Sequence, residues 1–395
     1  SANGNLKTSA GSLKIDGGKE DRHLSLSVST NDCNLAKILD NDKLGILATK
    51  IKVTAMLQNE AKNAGNGKAH KGVLGKIQQL TTNGNIDKLQ YNGYVYSNIN
   101  INGKLDGNNI SGQLAINDDN IKLNADGTFA TDHPKADLQL QLSNICPKAL
   151  GLTDKWGDAC FTANVDADFV GTNVDNANGN ITISDFSMAT AEDTYNIRNV
   201  SLSSRYNDER HTITLNSDFA NVGITGQFHI ADLIQYVENL VAEKLPSIQQ
   251  LTPIRTRKAP DCRMLFYADI MNTEPLQRLL NVPVALKKPA RIDGYLNSLQ
   301  SELSIQASVP QLSISDQDYA DISLSVSTPA DALNAILKAK KVLSNGNKAE
   351  YALNAMAANN KLSAALNFDN HSKLHLKGNM NANAQFSRNE AGKVK

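Results

Sequence analysis

Strict alternation of apolar and polar residues is the feature that most restricts what this chain can fold into. In HLSLSVST, Leu24, Leu26 and Val28 fall on one side and Ser25, Ser27 and Ser29 on the other. In FTANVDADF, Phe161, Ala163, Val165, Ala167 and Phe169 separate from Thr162, Asn164, Asp166 and Asp168. A helix would scatter those carboxylates round its cylinder, whereas a strand sends every one of them to the same face. Period two therefore specifies half-buried β-strands.

Between the strands lie turn-forming clusters. From Gly84 the chain reads GNIDKLQYNGYVYSNININGKLDGNNISGQLAINDDNIKLNADGTF, with apolar positions separated by Asn-Gly, Asp-Gly-Asn-Asn and Asn-Asp-Asp-Asn. Such residues accept positive φ and close tight hairpins, which predicts an antiparallel meander with one apolar face.

A strand, short helix and further strands recur three times, beginning near His23, Asp137 and Cys262. The starts are spaced similarly, and ISLSVST (322–328) nearly repeats LSLSVST (24–30). Three β-repeat segments are expected, 1–130, 131–250 and 251–395, each adding strands to one continuous sheet. Gln58–Lys71 reads as a loop and LTPIRTRKAPD as a linker.

Short helices are expected at NLAKILDN, between Cys146 and Cys160, and at EPLQRLLN. IADLIQYVENLVAEKL carries Leu233, Val237, Leu240 and Val241 at helical spacing and stops before Pro246, which predicts the longest amphipathic helix. ALNAILKAKKVL follows Thr328-Pro-Ala-Asp331, a helix-opening arrangement, and is expected to be helical too.

Lys+Arg and Asp+Glu balance at 40 each, which removes the net field that would attract nucleic acid. Aromatics make up only 5%, too few to fill a thick core, and this favours a thin architecture. There is no apolar run long enough to span a bilayer and no leader-like start, so the sequence is expected to be part of a longer protein.

No nucleophile elbow, phosphate loop or Ser/His/Asp order is present, so no catalytic residue and no cofactor are assigned. His371 and His375 would stand roughly 13 Å apart if they lay on one strand, too far to share a metal. Asp118-Asp119-Asn120 fits a hairpin turn, and Asp166 with Asp168 fits a polar strand face. The sequons at Asn109, Asn180, Asn199 and Asn370 are what an Asn- and Ser-rich sequence gives by chance. Cys146 and Cys160 could close a small loop in an oxidising compartment; free buried thiols are the other reading of the four cysteines.

What remains is the apolar stripe. A second sheet could cover it, as in a sandwich. Alternatively it lines an open trough that accepts acyl chains without specific polar contacts.

DLQLQLSNICPKALGL, then GNITISDF (179–186) and the strand from Ser217 to Phe228, resemble the Bacteroidota branch of the TamB/AsmA-like translocation and assembly module family. The likeness runs from about residue 84 to 330 and is weaker at the ends. It implies a mainly β fold, an elongated repetitive antiparallel β-groove (β-taco-like) with a few short helices and one longer amphipathic helix. It also implies a periplasmic location, with the parent protein anchored in the inner membrane. The function implied is non-catalytic: phospholipid transport between the membranes, outer-membrane protein assembly, or both. An Omp85-type barrel partner would be met through parts of the parent outside this sequence. The groove candidates are Leu24, Leu26, Val28, Leu138, Leu140, Leu142, Phe161, Val165, Phe169, Ile181, Ile183, Leu202, Ile213, Leu215, Ile322, Leu324 and Val326. The alternative is a secreted or surface β-repeat adhesion protein with a closed core.

Overall fold

The computed structural model of the chain describes residues 2–58, 77–247, 261–372 and 374–387. The expected loop from 59 to 71 and the expected linker up to residue 260 lie outside the described residues. The protein is mainly β, with antiparallel strands, a few short helices and one longer helix, as the alternation requires.

The chain divides into two compact units: Ser1–Thr172 with Gly179–Val200, and Asn173–Asn178 with Ser201–Lys395. The first unit contains β1 (Ala2–Thr8), β2 (Gly11–Glu20), β3 (His23–Asn34), β4 (Leu44–Leu57), β5 (Ile77–Tyr91), β6 (Tyr94–Asp106), β7 (Asn109–Asp118), β8 (Ile121–Ala130), β9 (Lys135–Ile145) and β10 (Cys160–Val170). Each pairs antiparallel with its neighbour in sequence. β11 (Asn178–Ala189) and β12 (Thr194–Asn207) follow, both with residues in both units.

The second unit contains β13 (Arg210–Ser217), β14 (Ala220–Gln227), β15 (Arg263–Ile270), β16 (Val284–Leu286), β17 (Ala290–Asn297), β18 (Glu302–Ile314), β19 (Gln317–Ser327), β20 (Leu333–Val342), β21 (Lys348–Ala358), β22 (Lys361–Asp369) and β23 (Lys377–Gln385). They form another meander, in which β15 pairs with β17 and the short β16 lies beside β18.

Turn chemistry holds the registers. Asn92 and Gly93 both have positive φ, as do Ser315 with Asp316 and Asn359 with Asn360, the backbone that a two-residue hairpin of right-handed twist needs. Inside strands, positive φ at Asn98, Asn144, Asp185 and Asp321 falls on the two side chains, other than glycine, that tolerate it best. Beside Asn98, the buried Asp118 accepts hydrogen bonds from the Tyr94 hydroxyl, from the Ser97 amide at 3.0 Å and hydroxyl at 2.6 Å, and from the Asn120 amide at 3.1 Å. Those bonds tie the β5–β6 and β7–β8 turns together.

Helix α1 (Leu35–Leu39) is capped by the Asn34 carbonyl oxygen of the side chain, which accepts from the Lys37 amide at 3.3 Å, and Asp40 ends it in the left-handed region. A 3-10 turn (Ile230–Asp232) leads into α2 (Leu233–Lys244), and α3 (Glu274–Leu280) has Pro275 in its first turn.

Two expected helices are not formed. Pro147–Ala159 folds as successive turns, closed by the Cys146–Cys160 disulfide with its Cα atoms 4.2 Å apart. A proline at the start and two glycines at positive φ, Gly151 and Gly157, leave too short a regular run for a helix. Leu333–Val342 is the strand β20, despite the helix-opening residues before it. Leu333, Ala335, Leu337 and Ala339 also alternate at period two, and ladders on both sides, to β19 and β21, outweigh a weak local propensity.

Candidate functional site

Register turns the alternation into continuous apolar rows running across the strands. In the first unit one row passes through Gly4, Ile15, Val28, Ile51, Gly84, Ile101, Leu114, Ala125, Leu140 and Val165, directly paired from β1 to β10. At a strand spacing of about 4.8 Å, its nine steps run about 43 Å along the sheet. Leu26 and Leu138 lie in the row on one side of it and Leu142 in the row on the other, with Leu24 one row beyond Leu26 on the same face. Phe161 pairs with Ile145 and Phe169 with Ala136, again on that face. Asn180 Nδ2 reaches Asp168 Oδ1 at 3.4 Å on the polar side, which leaves Ile181 and Ile183 on the apolar side.

The second unit builds an equivalent row from Leu215, Val222, Ala268, Ile292, Ala307, Leu324, Leu337, Leu353, Leu366 and Met380. Ile213 and Val326 sit in the next row and Ile322 on the other side of the first. Ser204 Oγ lies 2.7 Å from His211 Nε2, which puts Ser204, and Leu202 two residues earlier, on this face as well. The candidates therefore gather on one face of the sheet in each unit. Leu337, Leu353 and Leu366 also belong to the row; alternation in β20 to β22 carries that signal, and at Leu337 the helix-opening residues before β20 mask it.

These faces are open. Leu26 is 42% exposed, Phe129 42% and Phe169 38% in the first unit, and Leu337 is 37% and Met380 63% exposed in the second. A second sheet packed face to face would bury such residues.

Helix α2 covers one end of the second unit's face. Its Tyr236 and Leu240 pack on Met264, Leu296 and Leu303, together with Phe228 and Cys262. Each anchor contributes about 1.5–3 kcal/mol by leaving water. Burial pushes the Tyr236 hydroxyl and the Cys262 thiol up to about 12, so that thiol is chemically inert. Asn360 donates its backbone amide to the Lys244 carbonyl at 3.0 Å, and its side-chain oxygen accepts from the Ser247 amide at 2.8 Å. At the other end Asp175 accepts from the Ile230 amide at 2.8 Å.

His211 sits under that end, 1% exposed, its ring stacked on Phe228 at 5.3 Å. Ser204 gives its hydroxyl hydrogen to the Ala177 carbonyl at 2.7 Å, so His211 Nε2 donates to Ser204 and Nδ1 is left a bare acceptor. No partner reaches Nδ1 among the described residues. Burial pulls the imidazole below its ordinary value, with Asp175 acting weakly in the opposite sense.

In the first unit the disulfide-closed loop plays the corresponding part. Leu150 is completely buried, Trp156 stands edge-on to Phe161 at 5.2 Å, and Asn92 Nδ2 donates to the Gly151 carbonyl at 2.5 Å.

His371 and His375 are not on a strand. They lie in the β22–β23 connection with ring centroids 6.4 Å apart, and both approach Asp369, at 3.4 and 2.9 Å. The wide separation expected of a strand is thereby corrected. Among the described residues no group of His, Cys, Asp and Glu is placed to hold a metal ion, and no helix is long and apolar enough to cross a membrane.

No family model, curated protein or solved structure matches the chain. The resemblance to TamB/AsmA-like proteins therefore rests on the strand motifs alone, and the functional reading on the open apolar faces.

Proposed function

We propose that the chain is a non-catalytic, periplasmic segment of a TamB/AsmA-like protein, and that its apolar faces carry phospholipid acyl chains between the inner and outer membranes. One observation carries the reading: aliphatic rows cross ten paired strands in each unit and remain a third or more exposed at several positions. A row of about 43 Å exceeds the roughly 15 Å depth of one leaflet of a hydrocarbon core about 30 Å thick. A whole acyl chain fits along it while the head group stays in water.

Service in outer-membrane protein assembly is the second reading. It is favoured by the outer edge of β23, whose only ladder among the described residues is to β22. A closed-core surface protein, the alternative, would have to bury these rows. The inner-membrane anchor and the Omp85-type barrel partner belong to the same proposal and to other parts of the parent.

The test is to delipidate the protein, incubate it with vesicles of phosphatidylethanolamine, re-isolate it and measure bound lipid by mass spectrometry. Wild type is expected to take up phospholipid, and Leu140→Asp with Leu353→Asp to lose most of it. Delipidated wild type that takes up none ends the proposal.

A further inference from the structure

The seam between helix α2 and the sheet of the second unit closes on an imidazole. Phe228 follows the last residue of β14 and belongs to the chain that leads into the helix, whereas His211 belongs to β13; their rings stack at 5.3 Å with planes 8° apart. Phe228 packs in turn in one cluster with Tyr236 and Leu240 of α2. His211 is buried, its Nε2 is used on Ser204, and its Nδ1 meets no hydrogen-bond partner among the described residues. The neutral ring leaves only one acceptor unpaired. A charged ring would carry a second N–H with nothing to receive it, inside an apolar cluster, which is far costlier.

The groups around the ring offer little relief. Tyr206 of β12 stands edge-on at 5.8 Å, and Tyr236 and the buried Cys262 are held neutral. Among the described residues Asp175 is the one carboxylate that acts on the imidazole, and it already engages the Ile230 amide at 2.8 Å and the His229 ring at 3.4 Å. Asp232, at the start of α2, acts on Tyr236 but not on His211. A proton on His229 would tighten its contact with Asp175 and so oppose opening, but both side chains are partly exposed and such pairs count for little.

At this end the helix has little to give up. It joins no ladder and no side chain caps its start, which is held by the Asp175 contact, by the Tyr236 hydroxyl accepting from the His229 amide at 3.2 Å, and by the apolar cluster. The other end is tied down, by Asn360 to Lys244 and Ser247 and by Glu243 to Ser301. Lifting the start therefore hydrates both nitrogens of the ring and leaves the strand pairings intact.

We propose that α2 is an acid-released cover: a proton on His211 parts the Phe228 seam, lifts the start of the helix about its fixed far end, and bares the apolar face at Met264, Leu296 and Leu303. This inference concerns access to the face, whatever the face carries, and does not rest on the lipid reading.

Hydrogen exchange of the intact protein, followed by mass spectrometry at about pH 7.5 and about pH 5 and corrected for the intrinsic effect of pH, tests it without any lipid. Protection of the α2 amides is expected to fall about tenfold at the lower pH, the linkage of a ring that titrates near 6.5 once hydrated and lower when covered. The β17–β18 ladder is expected to keep its protection. His211→Gln and His211→Phe, the second keeping a ring on Phe228 without a titratable nitrogen, should remove the response, and His229→Gln should keep it. Equal protection of α2 at both pH values in the wild type, a response that survives in whichever His211 variant folds, or β17 and β18 losing protection in step with α2 overturns the proposal.

Discussion

Truncating two leucines of the same face distinguishes an open sheet from a sealed one. Leu240 on α2 is 4% exposed and packed in the cluster with Met264, Leu296 and Leu303, whereas Leu337 on β20 is 37% exposed in the middle of the long apolar row. Leu240→Ala removes buried carbons and leaves a cavity that neighbours fill only in part, which costs about 3 kcal/mol. At Leu337 about two-thirds of the roughly 2 kcal/mol of full burial is at stake, the new methyl keeps some of it, and solvent fills the space, so Leu337→Ala costs about 1 kcal/mol. Denaturant titration followed by far-ultraviolet circular dichroism reads both, because Trp156, the only tryptophan, reports on the other unit. A cost at Leu337 equal to that at Leu240 would mean a dry interior there, and the case for an accessible acyl surface would fail.

Replacing Cys146 and Cys160 by serine releases a loop of 14 residues' separation and is expected to cost the first unit about 3 kcal/mol, read as an earlier unfolding transition in Trp156 fluorescence. An unchanged transition would show that Leu150 and the Asn92 contact hold the loop without the bond. The stability of the second unit is expected to depend on pH through His211. Its folded imidazole binds a proton less readily than the unfolded one, so its contribution is complete above the ordinary value of 6.5 and is lost as pH falls from there towards the lowered folded value. His211→Gln should flatten that acid slope in denaturant titrations at a series of pH values; an unchanged slope would assign it to other groups.

The strands and their apolar sides were legible because period two needs only neighbouring residues, and FTANVDADF sorts itself without any partner. The long helix was legible for the same reason, from Leu233, Val237 and Leu240. Long-range information was not. Alternation places Leu140 and Val165 each on some face, but only the bulges and positive-φ turns decide that they stand opposite one another. Leu333–Val342 satisfied both a helical opening and a two-residue period, and the ladders to β19 and β21, invisible in a local window, decided it. The openness of the faces was equally illegible, since a sandwich and an open sheet share one pattern of residues. The close lie of the Tyr267 ring over Gly223 is likewise a coincidence of register, between β14 and β15, that no local window contains.

Nearly every ladder in each unit joins strands that follow one another in sequence, so loop closure costs little at each step and the sheet can lengthen strand by strand as the chain is delivered. Helix α2 is the exception. Its last turn is held by Asn360, 113 residues beyond Ser247, so this end cannot lock until β21 and β22 have folded. The far end of the segment that shields part of the oily surface is thus fastened by a strand turn that the chain reaches only after that surface has been laid down.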